Sequence, residues 1–151
     1  MSGTTEVTGA ISIIGASSAR LEIESGADMD TADLTMDDGR VVTYEELDTV
    51  TMFGGTCEFV NNAGTTNAIT MYGGTCRYKP TGETILTTLL MYGGFFDMRG
   101  CNAPTHTITN TTLYSGAMLD ERNGLENCVY TNALTMGGII KCDSGRQVTV
   151  S

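Results

Sequence analysis

The residues of this 151-residue chain that have the means to do chemistry are five cysteines, one histidine and scattered carboxylates. Any Ser/His/Asp or Cys/His arrangement must use His106, the only histidine, which stands in Thr105-His106-Thr107. Nothing near it in sequence resembles the sharp strand-to-helix turn that presents a nucleophile, so an ordinary strand or loop histidine is expected. The cysteines are odd in number and contain no C-x-x-C pair, which argues against a disulfide framework and a zinc knuckle. Reduced thiols buried as small hydrophobes are the better reading, with Cys57 and Cys76 stacked on neighbouring turns of chain, where a disulfide between them is the alternative. The acidic run Asp28, Asp30, Asp33, Asp37 and Asp38 lacks the glycine spacing and terminal Glu of a calcium loop, and reads as a solvated acidic segment. Asp97 with Asp120 or Glu58 matches the carboxylate pairs that cleave polysaccharides on long β-helices, but those enzymes need more coils and substrate loops than 151 residues supply. No catalytic residue, metal site or cofactor is expected.

What must position these groups is a repeat. Thr51-Met52-Phe53-Gly54-Gly55-Thr56-Cys57 recurs as Thr70-Met71-Tyr72-Gly73-Gly74-Thr75-Cys76 and Leu90-Met91-Tyr92-Gly93-Gly94-Phe95-Phe96. Two degraded copies follow, Thr112-Leu113-Tyr114-Ser115-Gly116-Ala117-Met118 and Thr135-Met136-Gly137-Gly138-Ile139-Ile140, the last without an aromatic. The second glycines are separated by 19, 20, 22 and 22 residues. A near-fixed period of this size is the signature of a solenoid. The predicted fold is all-β: a right-handed parallel β-helix of 19–22 residues per coil.

Alternation assigns faces to the repeat. Two and four residues after the second glycine come Cys57/Phe59, Cys76/Tyr78, Phe96/Met98, Met118/Asp120 and Ile140/Cys142. Nine of these ten are apolar or aromatic, so this phase should face inward. Val50/Met52, Ile69/Met71 and Leu89/Met91 supply a second inward pair before the glycines, which form the bend between two strands. Phe53, Tyr72, Tyr92 and Tyr114 then fall in one outward column, with Phe95, Leu119 and Ile139 exposed nearby. The choices for that column are mutual stacking, a sugar platform or a protein interface. A contiguous exposed apolar patch favours the interface. Glu58, Arg77 and Asp97 form a second outward column, of alternating charge, that serves register. Turn clusters such as Asn61-Asn62-Ala63-Gly64, Pro80-Thr81-Gly82 and Asn123-Gly124 return the chain, and short strands at Ile85–Leu89, His106–Ile108 and Cys128–Tyr130 close the coil. Thr107-Ile108-Thr109 invites comparison with threonine-array ice binders, yet the pattern does not repeat at one coil position.

Three segments result. Residues 1–20 are Ser/Thr/Gly-rich with one apolar patch, Ile11, Ile13 and Ile14, and form either an extended arm ordered against a partner or a first strand. Residues 21–48 are an irregular acidic lead-in, with a strand from Leu21 to Glu24, a diverged copy of the motif at Leu34–Gly39, and one helical turn over Thr43–Asp48. Residues 49–151 carry the regular coils. A net charge of −10 and pI near 4.3 disfavour nucleic acid, whose phosphates need clustered Lys and Arg. Residues 1–20 lack a secretory pattern, and no apolar run approaches a membrane span, so synthesis in a cytoplasm is expected.

The M-[FY]-G-G repeats, Gly-Gly bends, Asn-Gly turns, threonine-rich strands and low-complexity N-terminal segment together resemble the β-helical modules of bacteriophage virions, most nearly capsid decoration or cement proteins. The resemblance covers residues 49–151 and carries over no functional residue. It implies a non-enzymatic virion protein, made in the host cytoplasm, trimeric or otherwise oligomeric, that adheres to neighbouring protein subunits. The arm residues Ile11, Ile13 and Ile14 and the aromatic column are the expected contacts. The alternatives are a glycan-binding or glycan-cleaving module of a tail fibre or spike, and an ice- or surface-adhesive solenoid.

Overall fold

The computed structural model describes residues 8–15, 17–29, 31–60, 64–99, 101, 105–122 and 127–143. It contains fourteen strands and, among the described residues, no helix. The odd strands are β1 (Gly9–Ile13), β3 (Ala32–Met36), β5 (Thr49–Met52), β7 (Gly64–Met71), β9 (Thr84–Met91), β11 (Thr105–Tyr114) and β13 (Asn127–Met136). The even strands are β2 (Arg20–Ile23), β4 (Arg40–Thr43), β6 (Thr56–Val60), β8 (Thr75–Lys79), β10 (Gly94–Asp97), β12 (Ala117–Asp120) and β14 (Ile139–Lys141). Odd strands pair only with odd and even only with even, all parallel, giving two seven-stranded sheets in sequence order. This is a β-solenoid of about six turns.

The core is a stack of columns. Val50, Ile69 and Leu89 are paired in register, as are Met52, Met71 and Met91, and all are buried. From the even sheet come Cys57/Phe59, Cys76/Tyr78 and Phe96/Met98, buried as the alternation predicts. The diverged copy at Leu34–Gly39 is a true coil, since Leu34 and Met36 pair with Val50 and Met52 at a tighter spacing of 16 residues.

The glycine pair exists because coils meet backbone to backbone at this corner. A Cβ on Gly73 would lie 2.7 Å from the Phe53 carbonyl oxygen, and Gly74 has φ +81° with Gly54 backbone 2.7 Å from a Cβ position. Amide to carbonyl bonds cross the same corner: Tyr72 N–H donates to Met52 O at 2.8 Å and Thr75 N–H to Gly55 O at 2.9 Å.

Four expectations are corrected or, where two alternatives stood, decided. Ile85–Leu89, His106–Ile108 and Cys128–Tyr130 are not separate strands but the leading parts of β9, β11 and β13. The inward phase breaks inside these strands: Thr84 and Leu86 are buried, then Leu89 and Met91, so the chain bends at Thr87-Thr88 without leaving the sheet. Thr43–Asp48 is not helical. The Thr43 hydroxyl accepts from Glu45 N–H at 3.1 Å and donates to Glu45 O at 2.7 Å, closing a tight turn instead. In the N-terminal segment, Gly9–Ile13 is a strand paired with β3 rather than a free arm, with Ile13 in the core and Ile11 packed against it. Residues 1–7 lie outside the described residues.

The fourth correction is Leu119, expected outside and found wholly buried. Between β9 and β11 the odd sheet advances 22 residues, whereas between β10 and β12 the even sheet advances 23. The extra residue sits in the corner after Tyr114, where Ser115 replaces a glycine. A one-residue slip exchanges the faces of the following strand. Leu119 therefore aligns with Phe96 and turns inward, Met118 turns outward beside Phe95, and Asp120 joins Asp97 in the charged column.

These corners differ in what they tolerate. Gly74→Ala should lower unfolding stability by about 3 kcal/mol or more, because it adds a backbone clash to a left-handed φ. Gly116→Ala, at φ +92° but with open space around its Cβ position, should cost about 1 kcal/mol. Urea denaturation of the two variants measures the difference.

Candidate functional site

Strand alternation and the glycine bend together place one side chain per coil on the outer edge of this corner. Phe53, Tyr72, Tyr92 and Tyr114 occupy it as a continuous stack, with ring centroids 4.9, 4.9 and 4.8 Å apart and planes within 8° of parallel. The spacing is that of the strands beneath, about 4.8 Å, so ring contact follows from coil pitch. Each pair contributes about 0.5–1.5 kcal/mol. Stacking accounts for the alignment of the rings but leaves their outer edges in water: Phe53, Tyr72 and Tyr92 remain 52%, 50% and 42% exposed. Ring faces, where a sugar would stack, are occupied by neighbouring rings.

The column continues past its aromatic members. Met136 pairs with Tyr114 and is exposed, so it takes the ring position of the last coil instead of the core position occupied by Met71 and Met91. On the other side of the bend, Thr75, Phe95, Met118 and Ile139 are in register. Phe95 and Met118 are half-buried and Ile139 is exposed. The guanidinium of Arg99 lies 5.3 Å from the Phe95 ring centre. The result is a ridge with Tyr92, Tyr114 and Met136 on one flank and Phe95, Met118 and Ile139 on the other.

Of the expected contacts, Phe53, Tyr72, Tyr92, Tyr114, Phe95 and Ile139 converge on this ridge, while Leu119 and Ile13 are in the core. Ile14 is exposed at the far end of the ring column, separated from Phe53 by the coil that carries Asp37. Sequence reading missed Met118 and Met136. The signal was faint: Ser115 for glycine in one copy, and a methionine that mimics its core counterparts in the other.

The charged column lies on the same sheet as Phe95. Glu58 is 2.9 Å from Arg40 and 3.6 Å from Arg77, and Asp97 is 3.9 Å from Lys79. Asp97 and Asp120 are neighbours in register, each gripped by the arginine two residues on. Arg99 donates to both oxygens of Asp97 at 2.8 and 3.1 Å, and Arg122 to both of Asp120 at 2.9 and 2.7 Å. Desolvation opposes ionisation of Asp97, but the Arg99 hydrogen bonds outweigh it and hold the carboxyl below its ordinary value. Arg122 does the same for Asp120. Glycoside cleavage needs one carboxyl kept protonated as an acid, and neither of these is.

His106 is buried on the inward face of β11. Its Nδ1 is 2.6 Å from the Thr84 hydroxyl and its Nε2 2.8 Å from Cys101 Sγ, which lies 3.3 Å from the Pro80 carbonyl. One proton assignment serves every group: Thr84 O–H to Nδ1, Nε2–H to the sulfur, and the thiol to Pro80 O. The Tyr78 ring meets the imidazole edge-on at 6.1 Å. Burial pushes His106 down to about 4, so it is neutral, and both His106 and Cys101 are buried. This cluster welds the interior of two coils. Cys57 and Cys76 are paired in register and free, and burial pushes the Cys57 thiol up to about 12, helped by Glu58.

An open groove of about 380 Å³ is lined by Gly64, Thr65, Glu83, Thr84, Ile85 and Thr107, and another of about 300 Å³ by Glu22, Glu24, Ser25 and Tyr44. Among the described residues no three His, Cys, Asp or Glu side chains converge as a metal site. Asp33 accepts from Thr49 and Asp38 from Gly39 N–H, while Asp30 lies outside the described residues. Threonines do recur on the outer face of the odd sheet, at Thr35, Thr51, Thr70 and Thr112, but Leu90 interrupts the file. No family model, characterised protein or solved structure matches the chain.

The histidine has a measurable consequence. Its folded value lies below the unfolded 6.5, so its contribution is fully present above pH 6.5 and is lost as pH falls towards 4. The loss should approach 2–3 kcal/mol, since each tenfold change in proton affinity is worth about 1.4 kcal/mol. His106→Gln should be less stable at pH 7 and show a much flatter stability profile between pH 6.5 and 4. Asp97 and Asp120, held below the ordinary carboxylate value, titrate beneath that window. Urea midpoints across the range provide the check.

Proposed function

We propose that this chain is a non-enzymatic structural protein of a virus particle, one that decorates or cements a phage capsid through contacts between protein subunits. The observation that carries the reading is the ridge. Four stacked rings with exposed edges, flanked by Phe95, Met118, Met136 and Ile139, form a contiguous apolar strip on a protein of net charge −10. Nothing in a solitary soluble solenoid requires that strip to face water. A stacked column is also a rigid one: each ring is held by its neighbours, so little side-chain freedom is lost on docking, which favours affinity.

The rest of the surface suits adhesion over turnover. Asp97 and Asp120, which stand side by side, are neutralised by arginine, and the imidazole is buried in the core. The phage assignment itself draws on the repeat style of residues 49–151. In this reading the partner is a virion protein subunit, and the chain is incorporated into particles assembled in the host cytoplasm.

Tyr72→Ser combined with Tyr92→Ser should weaken co-sedimentation with the parent particle by about tenfold to a hundredfold, the loss expected of central aromatic anchors. The far-UV spectrum should be unchanged. Undiminished docking would leave the rings as stacking elements only. Binding or cleavage of a defined glycan on an array, with no particle association, would overturn the reading.

A further inference from the structure

The two ends of the solenoid carry the strands that have a single neighbouring strand among the described residues. Among the described residues β1 and β2 are hydrogen-bonded on one side only, and so are β13 and β14. Among the described residues each end thus has strands with no further strand beside them, the usual template for adding another. The apolar residues that the core covers only in part gather at these same ends. Ile11 and Leu21 belong to one, Ala133 and Ile140 to the other.

Register shows that these residues are the two termini of shared columns. Ile11 begins the internal column that runs through Leu34, Val50, Ile69 and Leu89, and Ala133 ends it. Leu21 begins, and Ile140 ends, the column through Val41, Cys57, Cys76, Phe96 and Leu119. On the outer face Glu22 and Lys141 end the charged column, and Ile14 and Met136 end the ring column. Along these columns the two ends match, apolar opposite apolar and an anion opposite a cation, while Arg20 begins the column that Ile139 ends and Ile13 the column that Thr135 ends.

We propose that the two ends form a single head-to-tail interface whose occupant is a second copy of this chain. β13 and β14 of one copy pair in parallel with β1 and β2 of the next, continuing both sheets. Ile140 then covers Leu21, Met136 covers Ile14, and Lys141 faces Glu22, which on its own chain is joined only to the exposed Arg20 at 3.0 Å among the ion pairs of the described residues. An interface between two different patches of the same chain does not close on itself unless rotation forces a ring, so the product is a rod. The tyrosine ridge stays on the flank of that rod, and this inference stands independently of what the ridge binds.

The test uses the full chain at 1–100 µM, followed by sedimentation velocity and negative-stain imaging. Wild type should form rods one solenoid wide whose length grows with concentration. Lys141→Glu and Glu22→Lys should each weaken association by about fivefold or more, and the double variant Lys141→Glu/Glu22→Lys should return to within about threefold of wild type. The Tyr72→Ser/Tyr92→Ser variant should form the same rods, which separates this interface from the ridge. A monomer at every concentration would overturn the proposal, meaning that the chain's own terminal residues cover its edges. So would assembly that ignores all the charge changes, or assembly abolished by the tyrosine changes, since contact would then run through the flank.

Discussion

Successive coils of this protein touch backbone to backbone at one corner, and that approach governs the rest of the structure. A Cβ at Gly73 or Gly93 would fall 2.7 or 2.8 Å from a carbonyl oxygen of the coil below. Close approach lets Tyr92 N–H and Phe95 N–H reach Met71 and Gly74 carbonyls at 2.8 and 2.9 Å, so parallel pairing is carried around the bend with little interruption. With the corner pinned, strand register on both sides is set, and so is every column of side chains. A bulkier residue would force coils apart locally and disturb both sheets together.

The exposed rings are a product of the same constraint. The residue before the glycine pair is the last to point outward before the chain turns, and the pitch of the coils brings its counterparts within 4.9 Å. Aromatic residues exploit that distance by stacking face to face, which leaves ring edges as the working surface. Where the corner is looser, at Tyr114-Ser115-Gly116, one extra residue enters and the next strand is turned over. The consequence is chemical as well as geometric. Met118 is added to the apolar ridge, and Asp120 is set beside Asp97 on the outer face, where Arg99 and Arg122 neutralise the pair.

Two sets of polar groups inside the solenoid tie neighbouring stretches of chain together. The Thr84–His106–Cys101–Pro80 chain spans two coils, and Tyr130 donates to the buried Glu121 at 2.8 Å near the last. Buried hydrogen-bonded groups of this kind tolerate little slippage, because a shift of register would leave a polar atom unpartnered in a dry interior. They act with the glycine corner in holding the coils at one mutual alignment.

The coil period, the inward phase of Cys57, Phe59, Cys76, Tyr78, Phe96 and Met98, and the column of Phe53, Tyr72, Tyr92 and Tyr114 were legible in the chain itself. Each follows from strand alternation and from stacking of like positions, which are local rules. The bend within β9 and β11, the inward turn of Leu119, the outward positions of Met118 and Met136, and the meeting of Cys101 with His106 were not. They depend on how many residues each corner holds, and in the degraded copies the motif no longer marks its own glycines. Only the pairing of one coil on another counts those residues, because a single addition in a turn costs little there yet reverses every side chain in the strand that follows.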